Sequence, residues 1–355
     1  MQLRRKLPNK KVNFKGLYFF FFIMIYTIKE QFSDFQVNEV LDDSIVSSNS
    51  TQYHLYILKK QNYTTERAVF HVSRGLNIPR KFISYAGTKD KQAITTQYIT
   101  IKGVSREKID SLKLKDIELS FAGFANKQLS LGDLKGNDFV IIVRNIKSKP
   151  LDFPEQFYVP NYFDEQRFSN KNFEIGLSIL KNDYKQVIQI LIEFDRDHKE
   201  LIEKHLERQT NDFVGALKIP PRKTLLFFVH SVQSKFFNEL LAEKIKASEE
   251  VFKDDYSKGT FLFPKHAKTQ EDTSELVLVG WDSQKYNYLL ANYGITSRDF
   301  LVRSIPELTL EETKRKSYIK VSNFSIQYEK DTAIVKFRLG KGSYATIVLR
   351  QIFAS

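Results

Sequence analysis

The hydrophobic period changes twice along the chain, and that change most constrains the fold. Residues 36–40, 53–59, 82–86, 95–101, 117–121 and 139–143 carry the alternating or β-rich character of strands. One short helix interrupts them: Thr65 and Glu66 cap a segment with apolar residues at Ala68, Val69 and Val72 that ends near Gly75. Beyond residue 170 the spacing becomes helical. Ile175, Leu177, Leu180, Val187, Ile190 and Leu191 fall on one face of residues 172–194, and residues 197–208 and 225–247 read as further helices. Strand-like runs return at 259–263, 276–279, 322–328 and 333–339, before a final helix over 344–353. β-rich ends around a helix-rich middle predict an α+β protein with an inserted domain, the two chain ends meeting in one sheet.

The chain has 355 residues and a net charge of +13. Arg4, Arg5, Lys6, Lys10, Lys11 and Lys15 stand in the first 23 residues with no acid among them. The body is thus moderately basic, as suits a polyanionic partner or simply a Lys-rich surface. Thirty phenylalanines and 17 tyrosines exceed what one core needs and suit stacking on bases. Residues 17–26 are apolar behind that basic segment, but a bilayer span needs about 20 residues. No small-residue cleavage site follows. Residues 1–23 read as a disordered tail or an upstream mis-start, with Met24 opening the folded chain. The expectation is a cytoplasmic monomer with no membrane association.

Several chemistries have no residues to carry them. Without cysteine there is no disulfide, thiolate nucleophile or Cys-ligated zinc. The six histidines form no short-spaced metal pair, Leu339-Gly340-Lys341-Gly342-Ser343 is too tightly spaced for a phosphate loop, and no Gly-x-Ser-x-Gly elbow occurs. The economical expectation is a reaction using neither metal nor cofactor.

Residues 84–97, Ser-Tyr-Ala-Gly-Thr-Lys-Asp-Lys-Gln-Ala-Ile-Thr-Thr-Gln, are the most informative stretch. They read as strand, turn and strand, with Gly87 permitting the turn and Asp90 on it between Lys89 and Lys91. Neighbouring cations favour an ionised carboxylate, and a loop carried by rigid strands is a common catalytic placement. On this pattern alone, a solvated Lys-Asp-Lys turn with no function explains the residues better.

The stretch closely resembles the signature of the TruD family of tRNA pseudouridine synthases. Five other segments are similar to that family's motifs in the same order. They are Ile28-Lys29 with Asp34-Phe35-Gln36-Val37-Asn38-Glu39, the loop at 131–139, Asn161-Tyr162-Phe163-Asp164-Glu165-Gln166-Arg167-Phe168, the helix segment at 230–238, and Gly342-Ser343-Tyr344-Ala345-Thr346 with Leu349-Arg350. Six ordered matches across residues 27–355 make chance a poor explanation. Asp164 and Ser169 depart from glycines usual there, and Gln351 from an acid; if that turn needs a positive φ, Asp tolerates it better than most.

The resemblance implies a mostly antiparallel mixed-sheet catalytic domain in two parts, 24–168 and 304–355, around a helix-rich insertion at 169–303. It implies isomerisation of uridine to pseudouridine in tRNA, at position 13 of the D-arm, with Asp90 as the essential carboxylate and no cofactor or metal. Lys29 is then the candidate cation beside Asp90, with Lys89, Lys91 and Arg167 as alternatives or RNA contacts. Phe163 would stack on the extruded base, with Asn161 hydrogen-bonding nearby. A non-catalytic RNA-binding protein of the same fold, or the same chemistry at another RNA position, is the alternative.

Overall fold

The structure is a computed structural model that describes residues 26–147, 152–195 and 197–354. The expectations for residues 1–23 lie outside these. Eight strands come from the first part of the chain: β1 (Phe35–Leu41), β2 (Val46–Ser47), β3 (His54–Gln61), β4 (Ile83–Tyr85), β5 (Ile94–Ile101), β6 (Ile117–Ala125), β7 (Leu134–Val143) and β8 (Phe157–Pro160). Helices α1 (Thr65–Leu76) and α2 (Arg106–Asp110) lie among them. The middle supplies α3 (Asn172–Leu180), α4 (Tyr184–Phe194), α5 (Lys199–Arg208), α6 (Phe213–Leu217), α7 (Arg222–Ser248) and α8 (Asn287–Leu290). Two antiparallel pairs accompany them: β9 (Val251–Tyr256) with β10 (Gly259–Pro264), and β11 (Glu275–Leu278) with β12 (Thr313–Lys316). The chain closes with β13 (Tyr318–Glu329), β14 (Thr332–Gly340) and α9 (Ala345–Phe353).

Ten strands form one sheet in the order β2-β6-β3-β5-β1-β7-β14-β13-β8, with β4 on β5. Only the β1–β5 pairing is parallel among them, with Val37 opposite Thr95. The fold is therefore α+β with a mixed, mostly antiparallel sheet. Ala333 pairs with Val143 and Phe337 with Phe139, so strands from both ends of the chain share the centre of the sheet. Alternation drives this: along β14, Ala333, Val335, Phe337 and Leu339 point inward and pack with Phe139, Ile141 and Val143 of β7 under α9.

Local signals set the helix limits. Thr64 caps α1 by accepting from the Arg67 N–H, and Asn77 ends it with a left-handed φ of 54°. Residues 172–194, expected as one helix, form two. Lys181-Asn182-Asp183 breaks them: Asn182 takes φ 58°, and Asp183 caps α4 by accepting from Gln186 N–H. Helix α7 is buried on several sides, enclosing Phe228, Val232, Phe236, Phe237 and Leu241 together with Ser231, Gln233 and Asn238. It crosses α3 at Gly176, where a Cβ would fall 2.1 Å from the Phe228 carbonyl oxygen, so only glycine permits that approach. A single core runs from Tyr162 through these helices to Leu310 and reaches Tyr318 of β13.

Candidate active site

Asp90 stands on the loop between β4 and β5. Three buried polar side chains hold that loop from beneath. Gln97 Nε2 donates to the Gly87 carbonyl at 2.9 Å, Thr65 Oγ1 accepts from the Lys89 N–H at 2.8 Å and donates to Gln97 Oε1 at 2.8 Å. Lys60 donates to the carbonyls of Tyr63 (2.6 Å) and Asp90 (3.0 Å). Gly87 does not adopt a positive φ. A Cβ there would lie 3.2 Å from Lys89 Nζ and press on that side chain.

The carboxylate is held from the other side. Lys29 Nζ donates to Asp90 Oδ2 at 2.9 Å, and Gln166 Nε2 donates to Oδ1 at 3.1 Å. Burial by itself would raise the Asp90 carboxyl. The charge and hydrogen bond of Lys29, the Gln166 amide and the charge of Lys60 outweigh it and hold the group below its ordinary value. Asp90 is thus kept ionised at neutral pH although its side chain is only 31% exposed.

Lys29 reaches Asp90 because its segment is pinned at both ends. Thr27 and Arg144 exchange backbone hydrogen bonds at 2.8 Å each, and Arg144 grips the fully buried Asp34 in bidentate fashion at 2.7 and 3.0 Å. Asp34 in turn accepts from the Gln31 N–H. Between these anchors Lys29 takes φ 59°, a left-handed conformation uncommon for lysine. Its ammonium also sits 4.1 Å from the Phe35 ring centroid.

The lysines adjacent to Asp90 in sequence serve elsewhere. Lys89 turns inward and pairs with the buried Glu39, whose other oxygen accepts from the Tyr98 N–H at 3.1 Å. Lys91 is exposed. The cations acting on Asp90 come from other elements, because the turn directs its own lysine side chains away from the carboxylate.

The segment after β8 brings Gln166 to Asp90 and places Phe163 three residues before it. Phe163 is a core residue here, 6% exposed, with Phe237 and Tyr344 edge-on at 5.6 and 6.1 Å. Asn238 fixes its backbone with two hydrogen bonds of 2.8 and 2.9 Å. Arg315 covers the ring at 4.1 Å from its centroid and Arg167 approaches to 5.1 Å. The open aromatic face expected for base stacking is therefore occupied by guanidinium in this conformation. Asn161 spends its amide internally, accepting from Arg315 at 2.5 Å and donating to the Lys316 carbonyl at 2.9 Å. Burial, offset in part by Tyr344 and reinforced by Arg167, pushes Arg315 down to about 10.

Asp164 does not need a positive φ either: its φ is −93°. It is instead buried and paired with Arg350 at 3.2 Å, and Arg350 also meets Asp254 at 2.5 Å. This ties the Asn161–Phe168 segment to α9 and to β9. Gln351 donates to the Pro264 carbonyl at 2.7 Å, a neutral role that an acid would not fill unless protonated.

Sequence reasoning missed Lys60, Gln166 and Arg315. Lys60 had a signal: it follows Tyr56 and Leu58 on the inward face of β3, where a charge is out of place. Gln166 lies inside the recognised 161–168 segment without being singled out. Arg315, on a short edge pairing, had none.

Comparison with known proteins bears on the family and the fold. The sequence model of the family tRNA pseudouridine synthase D (TruD) matches residues 24–202 and 272–352. The likeness at 230–238 falls between the two matched stretches. A tRNA pseudouridine synthase D from Aquifex aeolicus is 29% identical, the alignment covering 92% of this chain and 98% of that protein. A Thermococcus sibiricus protein named "Probable tRNA pseudouridine synthase D" is 30% identical, with 92% and 94% covered. A crystal structure of a protein from Methanosarcina mazei named "Putative tRNA pseudouridine synthase D (TruD)" shares the fold with a TM-score of 0.65 at 24% identity, over 93% of this chain and 94% of that one. The chain belongs to the TruD family of tRNA pseudouridine synthases.

Proposed function

We propose that this protein isomerises uridine to pseudouridine in tRNA, at position 13 of the D-arm, with Asp90 as the essential carboxylate and no cofactor. The observation that carries the reading is the Lys29–Asp90–Gln166 arrangement, which presents an ionised carboxylate on a loop fixed from beneath. The reaction breaks the bond between uracil N1 and ribose C1′, turns the base, and joins C5 to C1′. C5 loses a proton and N1 gains one, so nothing is oxidised and no group leaves. An anionic aspartate suits either attack at the sugar or removal of a ribose proton.

The target uridine has to leave its stack to meet Asp90. Lys91 and Arg167 are offered as phosphate contacts near that point, and the insertion at 169–303 as a second wall of the RNA cleft. Phe163 takes the extruded uracil only if Arg315 swings from its ring; otherwise the ring backs the site from the core.

The test is Asp90→Asn, assayed by tritium release from 5-tritiated uridine in tRNA. The variant is expected to bind tRNA with little change and release no tritium above background. Appreciable turnover by the variant removes Asp90 from the chemistry. Turnover by the unaltered protein on tRNA lacking uridine at position 13 moves the target elsewhere.

A further inference from the structure

Lys60 is 1% exposed, and no carboxylate lies within ion-pair distance of it among the described residues. A buried ammonium without a paired acid is costly to keep in a fold. Its three contacts are all backbone carbonyls: Tyr63 at 2.6 Å, Asp90 at 3.0 Å and Lys89 at 3.5 Å. Two of the three belong to the loop that carries Asp90. Neutral side chains already hold other parts of that loop from below, Gln97 as a donor and Thr65 as an acceptor. A neutral side chain would satisfy a carbonyl equally well, so the choice of a cation needs another reason.

The charges around Lys60 supply one. Asp90 and Lys89 are the ionised groups that act on it, the first favouring its charge and the second opposing it. The Lys89 charge is matched by Glu39. Asp90 is therefore the anion that Lys60 serves, and Lys60 acts on the carboxylate from the protein side while Lys29 and Gln166 act from the open side. Burial lowers Lys60 to about 8, and the Asp90 charge works against that shift.

We infer that Lys60 is a positioning residue for the isomerisation: a buried cation that fixes the Asp90 backbone and helps keep the Asp90 carboxylate ionised from beneath. The inference rests on Asp90 being the reacting carboxylate. Lys60 itself touches neither base nor ribose. Its effect belongs on the chemical step and its pH dependence, with RNA affinity left unchanged.

Lys60→Met tests this. Its single-turnover rate is expected to fall about 10²-fold, as small misplacements of reacting groups do, with the tRNA Kd unchanged. The acid limb of its pH–rate profile should move to higher pH, since Asp90 loses one of its cations. A purely structural Lys60 gives no shift of that limb, and a normal rate with an unmoved limb overturns the inference. If Lys60→Met does not fold, the absence of any other cysteine makes a matched pair available. Lys60→Cys is alkylated in denaturant with 2-bromoethylamine or with 2-bromoethanol, then refolded. The two products have the same length and both donate hydrogen bonds, but only the first is a cation. A rate about 10-fold or more higher for the ammonium form, with a lower acid limb, supports the inference; equal rates and limbs overturn it. Asp90→Asn separates the two claims: if that variant turns over, the Asp90 reading fails, whereas a dead Asp90→Asn beside a normal Lys60→Met sinks only the role of Lys60.

Discussion

The Lys29 ammonium meets the Asp90 carboxylate at 2.9 Å across 61 positions of sequence, from a residue held at φ 59°. Lys29 is among the groups that hold Asp90 below its ordinary value, so its removal raises that value. Protonated Asp90 then accumulates at a higher pH than before, and the acid limb of the rate profile shifts upward. Lys29→Met is expected to lose about 10- to 100-fold in single-turnover rate at neutral pH, the equivalent of one charged hydrogen bond. Lys29→Arg keeps the charge and should hold the limb in place. A pH–rate profile identical in Lys29→Met and the unaltered protein would show that the pair is incidental.

Phe163 sits in the core between Arg315, Phe237 and Tyr344. Phe163→Ala is therefore expected to cost about 3–5 kcal/mol of stability, through lost burial and the cavity left behind. Thermal melting measures that part. If the ring also receives the uracil, the rate falls a further 5- to 100-fold or so in protein kept folded at low temperature, the worth of one stacked base. Stability loss with a normal rate under folded conditions confines Phe163 to packing.

Binding to tRNA is expected to weaken steeply as salt rises, because Lys and Arg displace counterions from phosphates. Arg167 makes no ion pair among the described residues and lies against Phe163 and Phe227. If it holds a phosphate, Arg167→Gln reduces the slope of log Kd against log salt by about 1. Filter binding at several potassium concentrations reads this directly. An unchanged slope assigns Arg167 to the ring contacts alone.

Arg350 is 3% exposed and pairs with both Asp164 and Asp254. Burial raises the Asp254 carboxyl despite the pull of Arg350, so the cluster depends on that one cation. Arg350→Met leaves two carboxylates together without it and is expected to destabilise the protein by about 3–5 kcal/mol. The loss should be smaller in acid, where the stranded carboxylates protonate. Urea denaturation at pH 7 and pH 5 checks both statements; equal losses at the two pH values would contradict the second.

The sequence by itself determined the fold class, because period-2 and period-3.6 patterns are written in consecutive residues and require only a core to bury against. It also isolated the Asp90 turn and the Asn161–Phe168 segment, since each is contiguous. The break at Lys181–Asp183 was harder to see: the apolar spacing of α3 and α4 nearly continues across it, and only the αL conformation of Asn182 interrupts the helix. Tertiary structure decided which charges surround Asp90. Lys89 and Lys91 are nearest along the chain, yet the turn sends one to Glu39 and the other to solvent. Lys29 and Lys60 arrive from a pinned loop and a strand, because parallel pairing of β1 with β5 and antiparallel pairing of β3 with β5 bring those elements together, and Gln166 arrives from the turn after β8. Electrostatic neighbours are fixed by distance in space. A one-dimensional pattern carries such distances only where the partners share a helix turn or a strand face, and at Asp90 they share neither.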